Sequence, residues 1–398
     1  MRERSWVLSS LAGGVCVLLG IGLARFAYTP LIPALVDEHW FSIAQANYLG
    51  AINLLGYLVG AALAHRVTSI VGSRRVLAVA LAVTVVSLYA CLLDWGPVWY
   101  GIWRLACGVS GAVLTVVGVS AALAAVPRER RPAASALIFS GIGLGIAASG
   151  TVVPWLIHYG IAATWVALGT LAAMLALWAW VAVWRHLAVS AGVAAVHAAG
   201  QPARWSVAGV LLILLAYGLD AVGFVPHTLF WVDYIAHELG RGLTVGAAYW
   251  TAFGLGAAVG PFVAGALAHW LGFRRGLAFG LIIKAVAVAL PVLSGSPAAL
   301  LFSSVLVGLL IPGTVALTSG SVIELVPPER QQQAWGWATL SFALLQAIAG
   351  YGMSWDYVVL GSYRPLFAMA ALALLVAAAC AAVAAVCRAP GIPRGAQA

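Results

Sequence analysis

The sequence predicts an all-α integral membrane protein, with twelve transmembrane helices arranged as two six-helix pseudo-symmetric bundles. Three observations carry this expectation. Of 398 residues, 64% are hydrophobic and 8% are charged, whereas a soluble domain carries about a quarter charged residues because its surface faces water. Twelve apolar runs are each long enough to cross a hydrocarbon core, which takes about twenty residues. The two halves of the chain echo one another.

The first six runs cover 6–35, 44–65, 76–93, 97–126, 133–157 and 162–184. The second six cover 205–231, 244–270, 276–293, 298–326, 332–355 and 365–387. They divide the chain into an N-terminal bundle, 1–184, a cytoplasmic linker, 185–204, and a C-terminal bundle with a short cytoplasmic tail, 205–398. The first run is too long for the apolar core of a signal peptide and reads as a span.

Orientation follows from the arginines. With the N-terminus inside, the inner segments hold Arg2, Arg4, Arg66, Arg74, Arg75, Arg128, Arg130, Arg131, Arg185, Arg204, Arg274, Arg275, Arg330, Arg388 and Arg394. The outer segments hold Arg241 and Arg364, with Asp37, Glu38, Asp94, Asp233, Glu238 and Asp356. Both termini are then cytoplasmic, as an even number of spans requires. The formal charge of +9 is spread over short loops, which argues against nucleic acid as a partner. The five cysteines show no CxxC spacing, so no metal or disulfide role is expected.

Val59-Gly-Ala-Ala-Leu-Ala-His65 is echoed by Val263-Ala-Gly-Ala-Leu-Ala-His269, and each is followed by Gly-x-Arg-Arg. Gly22-Leu23 precedes Pro30 by the spacing at which Gly218-Leu219 precedes Pro226. Such parallel repeats are related by an axis along the membrane normal, and transporters of this design bind substrate between the halves.

The stretch Leu63-Ala-His65-Arg66 … Gly72-Ser-Arg74-Arg75 resembles the loop between spans two and three of the major facilitator superfamily. Gly265-Ala-Leu-Ala-His269-Trp-Leu-Gly272-Phe-Arg274, with Arg275 after it, resembles the second-half copy. In that family the loop latches the cytoplasmic side. The resemblance therefore implies latch roles for Arg66, Gly72, Arg74, Arg75, Gly272, Arg274 and Arg275. Both copies have His where the family's loop has Asp, so a direct carboxylate latch is not expected.

Arg104-Leu-Ala-Cys-Gly108 resembles a fourth-span motif linked to proton transfer, and Gly141-x-x-x-Gly145 … Gly150 … Pro154 resembles a fifth-span glycine motif common in exporters. Gly22-Leu-Ala-Arg25-Phe-Ala-Tyr-Thr-Pro30 and Pro226-His-Thr-Leu-Phe-Trp-Val-Asp-Tyr234 resemble the YbfB/YjiJ-type branch. The resemblance implies a monomeric transporter of the bacterial inner membrane, and it names no substrate.

Ionisable groups in hydrocarbon cost at least about 2.5 kcal/mol each, so those inside the spans are the first candidates for function. They are Arg25, Arg104, Asp220 and Lys284, the chain's single lysine. By helical rise, Arg25 and Asp220 lie roughly 20–25 Å from the inner ends of their spans and Arg104 roughly 10 Å from its outer end. At similar depth, the three could form one cluster of two cations around a carboxylate. The alternatives are a static buried salt bridge and a proton-coupling or substrate site centred on Asp220.

Asp220, Phe224, His227 and Trp231 share one helical face, which is expected to line the cavity. His227 is either a second proton carrier or an interfacial hydrogen-bonder. Lys284 either snorkels or faces the cavity. Asn47 and Asn53 are helix–helix glue or substrate contacts. Trp335, Thr339, Phe342 and Gln346 share a face that is either packing or an aromatic platform. Tyr28, on the first span beside Arg25, is a further cavity candidate.

Gly141-x-Gly143-x-Gly145 lies in an apolar run without a strand, so it reads as close helix contact and not as a nucleotide loop. No Walker A, HExxH or GxSxG sequence is present, so no enzyme activity and no cofactor is expected. The expected function is secondary active transport of a small organic solute by alternating access, coupled to protons, with export favoured. The rivals are an uncoupled uniporter and a transporter-like membrane sensor.

Overall fold

The computed structural model describes residues 2–186 and 206–387. Most of the expected linker, together with Arg204, Arg388 and Arg394, lies outside the described residues. Among the described residues the chain is helical throughout, without strands. In a hydrocarbon core no water is available to the backbone, so each crossing segment must bond within itself, as a helix does.

Eleven helical segments are long and apolar enough to cross a membrane. They are α1 (Trp6–Asp37), α2 (Ile43–Val71), α3 (Ser73–Ala90), α4 (Gly96–Ala124), α5 (Arg131–Ile157), α6 (Ile161–His186), α7 (Val207–Glu238), α8 (Leu243–Leu271), α9 (Phe273–Leu293), α10 (Pro297–Leu325) and α12 (Arg364–Val386). Between the last two lies α11 (Pro328–Leu360), the longest continuous helix at 33 residues. It is less apolar because its first turns carry Glu329, Arg330 and three glutamines, Gln331 to Gln333.

Local chemistry sets the ends. Ser42 and Gln45 form a reciprocal capping box at the start of α2. Ser206 and Ser296 cap α7 and α10 through their hydroxyls. The one-residue turns between α2 and α3 and between α8 and α9 are Gly72, with φ +87°, and Gly272, with φ +77°. That conformation favours glycine because it has no Cβ.

Packing repeats with a six-helix offset. The pairs α2–α4, α3–α6 and α1–α5 recur as α8–α10, α9–α12 and α7–α11. The pairs α5–α8 and α2–α11 join residues 2–186 to 206–387. Gly141 and Gly145 let α5 approach α1, against Gly14 and Gly22, while Gly143 lies against Ala258 of α8. The glycines serve close helix contact, as their apolar setting suggests.

α1 and α7 are not continuous α-helices. α1 changes to a π-helix over Leu18–Leu23, turns at Ala24 and Arg25, and resumes as a 3₁₀-helix over Phe26–Leu31. α7 ends its first α-helix at Gly223 and continues as a π-helix over Pro226–Phe230. Pro30 and Pro226 each remove a backbone donor, which frees carbonyls for other partners. Broken helices of this kind form the binding sites of many transporters.

Candidate functional site

One end of the molecule carries the loops around Asp37, Asp94, Glu238 and Asp356, and the other those around Arg66, Arg74, Arg274 and Arg275. We call them the acidic and basic ends. Toward the acidic end α1 and α7 are tied together. Thr29 Oγ1 donates to the Thr228 carbonyl at 2.6 Å. His237 bridges Asp233 of α7, 2.7 Å from its Nδ1, and Asp37 of α1, 2.9 Å from its Nε2. An ionised carboxylate only accepts, so the ring satisfies both as the imidazolium. Tyr363 donates to Asp233 at 2.6 Å and accepts from Asn47 Nδ2 at 3.2 Å. Trp250 of α8 donates to Ser149 of α5 at 3.1 Å.

Asp233 is therefore not an outer-loop acid as its sequence position suggests. It is 1% exposed, and it has this environment because α7 runs seven residues past the expected boundary, to Glu238. Its spacing of four residues from His237, one helical turn apart, is the signal that could have found it. Tyr363→Phe removes a donor from Asp233 and an acceptor from Asn47, and should cost about 1–3 kcal/mol as stranded buried polar groups. Thermal unfolding in detergent measures this, and a shift equivalent to less than about 0.5 kcal/mol, the range of a neutral surface change, would contradict it.

The cluster of Arg25, Arg104 and Asp220 that similar depth allows is not what the fold brings together; Asp220 meets Lys284 and Thr314. Lys284 Nζ donates to Asp220 Oδ1 at 2.7 Å, and Thr314 Oγ1 donates to Oδ2 at 2.8 Å. The pair is shut off from solvent, with side-chain exposures of 0% for Lys284 and 1% for Asp220. The ammonium also lies over the Phe224 ring, 4.6 Å from its centroid. Lys284 does not snorkel, because its ammonium is held by Asp220 of α7 inside the protein. The depth estimate was compatible with a cluster of Arg25, Arg104 and Asp220, but depth says nothing about which way a helix face points.

The face bearing Asp220, Phe224, His227 and Trp231 meets α9, α10, α11 and α12 rather than a cavity. His227 Nε2 lies 2.7 Å from Ser303 Oγ, whose hydroxyl donates to the Ala287 carbonyl. The imidazole is then the donor, as the Nε2–H tautomer. Trp231 stacks on His227, 4.4 Å between centroids, and donates to Ser304 at 3.0 Å. This polar layer lies inside residues 206–387, built by residues whose hydroxyls close the hydrogen bonds that lipid could not.

Arg104 Nη1 donates to the Ala24 carbonyl at the break in α1, at 2.7 Å, and its guanidinium lies over Tyr28 at 4.2 Å. Asn53 Nδ2 donates to the Arg104 carbonyl at 3.0 Å. Arg25 lies over the rings of Phe26 and Tyr57, at 4.9 and 5.9 Å. A small pocket at the junction of α1, α2, α4 and α7 is lined by Arg25, Tyr28, Arg104 and Thr228 among others. On α11, Trp335 and Phe342 pack against Tyr217 of α7, and Phe342 also meets Phe224. Gln346 is 1% exposed.

The basic-end loops differ between the copies. Arg274 donates to Glu324 at 2.9 Å and to the carbonyls of Ala384 and Cys387, which ties α9 to the ends of α10 and α12. Arg74 lies over Trp180 of α6 at 5.8 Å. Arg66, Arg75 and Arg275 are exposed, as are His65 and His269. Among the described residues no group of three His, Cys, Asp or Glu side chains is placed to hold a metal ion.

A family model described as "Uncharacterised MFS-type transporter YbfB" matches residues 17–382. The "Sugar transporter ERD6-like 15" of Arabidopsis thaliana is 26% identical over 155 residues, a match covering 38% of this chain and 32% of that protein. The chain thus spans about a third of the length of the curated relative it matches. With matched residues running from α1 to α12, the chain belongs to the YbfB family of MFS-type membrane transporters.

Proposed function

We propose that the protein is a proton-coupled secondary transporter of a small organic solute, working by alternating access. The moving bodies are residues 1–184 and 205–398, joined by the linker 185–204. Both termini lie in the cytoplasm of a bacterium, by the bias of arginines toward one end. The acidic end then faces outward, and its ties between α1 and α7 hold a state closed to the outside. The α5 glycines resemble those of exporters and support outward transport. The chain acts as a monomer.

The observation that carries the coupling is the dry Lys284–Asp220 pair. A buried ion pair is a weak stabiliser compared with apolar packing, and this chain has apolar side chains at almost every other span position. Protonating Asp220 would release Lys284 as an uncompensated charge inside the protein. That charge must either lose its proton or reach water, and reaching water requires the helices around it to move. Proton occupancy and conformation are then linked, as any coupling mechanism requires.

A thermal-shift screen on detergent-purified protein identifies a binder, since a ligand stabilises the state it binds. In proteoliposomes an imposed pH gradient should drive that solute to accumulate through the wild-type chain. It should not do so through the double variant Asp220→Asn, Lys284→Gln, which should still exchange solute across the membrane. Accumulation by the double variant at the wild-type rate would show that the pair does not carry the coupling, and exchange without accumulation by the wild type would favour the uncoupled facilitator.

A further inference from the structure

We infer that the transported solute is a small organic anion, and that Arg25 and Arg104 bind its acidic group. This rests on the transporter reading above and adds the charge of the substrate.

The inference starts from charge balance. Arg25 and Arg104 are 8% and 2% exposed, and a guanidinium keeps its proton in a protein. Two positive charges therefore stand inside the membrane-spanning part of the chain. Among the described residues neither lies within ion-pair distance of a carboxylate. The acids that could have served are taken elsewhere. Asp220 is held by Lys284 and Thr314. Asp233 is held by His237 and Tyr363, and Glu238 by Ser362 and the Tyr363 backbone.

Hydrogen bonding gives a second, independent observation. Arg25 Nη2 and Arg104 Nε are buried and have no acceptor among the described residues. Buried donors are ordinarily satisfied, so each such group calls for an explanation. The rings of Phe26, Tyr57 and Tyr28 beneath the guanidiniums attract the cations but accept no proper hydrogen bond from them. Ala24 accepts from Nη1 of Arg104, which orients that side chain and leaves Nε for another acceptor.

Both arginines line one pocket, and its far wall is Thr228 and Leu229 of α7. The pocket thus sits where residues 2–186 meet 206–387. A carboxylate there would accept from both arginines with charge-assisted bonds, for which the planar guanidinium fork is suited. It would also supply the missing negative charge. Leu54 and Leu229 give the pocket an apolar side; in this closed state it has room for about one water molecule, so an organic acid enters only when the helices around it part.

The test uses the full chain in detergent, at constant ionic strength, with four probes: benzoate, lactate, inorganic phosphate and glucose. Benzoate or lactate should raise the melting temperature saturably, while glucose should not. Arg25→Gln should weaken that binding by about tenfold or more, the loss of one charge-assisted contact. Among the described residues Arg25 makes no hydrogen bond to the protein, so this variant should fold without anion as well as the wild type does, and Arg25→Lys should recover part of the affinity. Saturable binding of phosphate with neither carboxylate would overturn the organic-acid assignment. Failure of all three anions, or anion binding unchanged in Arg25→Gln, would overturn the site. A neutral solute that is bound and accumulated would do the same, yet would leave the transporter reading standing. A binder that is never carried across the membrane would instead sink that reading.

Discussion

Asp220→Asn should destabilise the protein by about 3–5 kcal/mol, because it strands the Lys284 ammonium in a site closed to water. The Asn side chain keeps the volume, so packing is not the cause, but its one oxygen replaces only one of the two acceptors that Lys284 and Thr314 use, and its amide nitrogen faces the other donor. Lys284→Gln should cost a comparable amount by stranding the carboxylate. The double variant should recover most of the loss, since two neutral amides need far less compensation than one charge. Such non-additivity is the signature of direct contact. Thermal unfolding of the four proteins in one detergent reads it. Single variants as stable as the wild type, or a double variant no better than the worse single one, would show that the pair is not ionised as described.

Gly150→Val should shift the conformational balance away from the state with the acidic end closed. A Cβ at Gly150 would lie 2.8 Å from the backbone nitrogen of Thr251 and 2.9 Å from the carbonyl oxygen of Ala247. Backbone atoms of α8 cannot swing aside as a side chain can, so α5 and α8 must separate. Overpacking of this kind typically costs about 1–3 kcal/mol, or roughly 5- to 150-fold in the equilibrium. Spin labels at Tyr159, in the turn after α5, and at Thr244 on α8, both exposed, should report a longer distance in the variant. An unchanged distance distribution with undiminished transport would contradict this role for Gly150.

The helices were legible because hydropathy is a local property that the bilayer reads residue by residue. α2 outruns its apolar run because polar residues continue the helix, as Arg66, Thr68 and Ser69 do. Pro30 and Pro226, which the sequence offers only as an echo between the halves, lie in the two broken helices, and the break in α1 is met by Arg104 through the Ala24 carbonyl. Partners were less legible. Asp220 and Lys284 are 64 residues apart, and helical rise places a charge in depth without giving its azimuth. The sequence leads one to expect the polar face of α7 to line a cavity, but which neighbour it meets is set by how α9, α10, α11 and α12 pack. Asp233 was hidden by its nearness to the end of an apolar run, and its partner Tyr363 lies 130 residues away.

Alternating access is most directly tested by measuring both ends of the α5–α8 contact in one experiment. After removal of the five native cysteines, one spin-labelled pair at Tyr159 and Thr244 reports on the acidic end. Another pair at Ala133 and Trp270, exposed on the same two helices, reports on the basic end. Changing pH, or adding a solute that binds, should lengthen one distance and shorten the other, with the shorter acidic-end distance matching the structure described above. Distances that rise and fall together, or that stay fixed while solute crosses the membrane, would contradict the account.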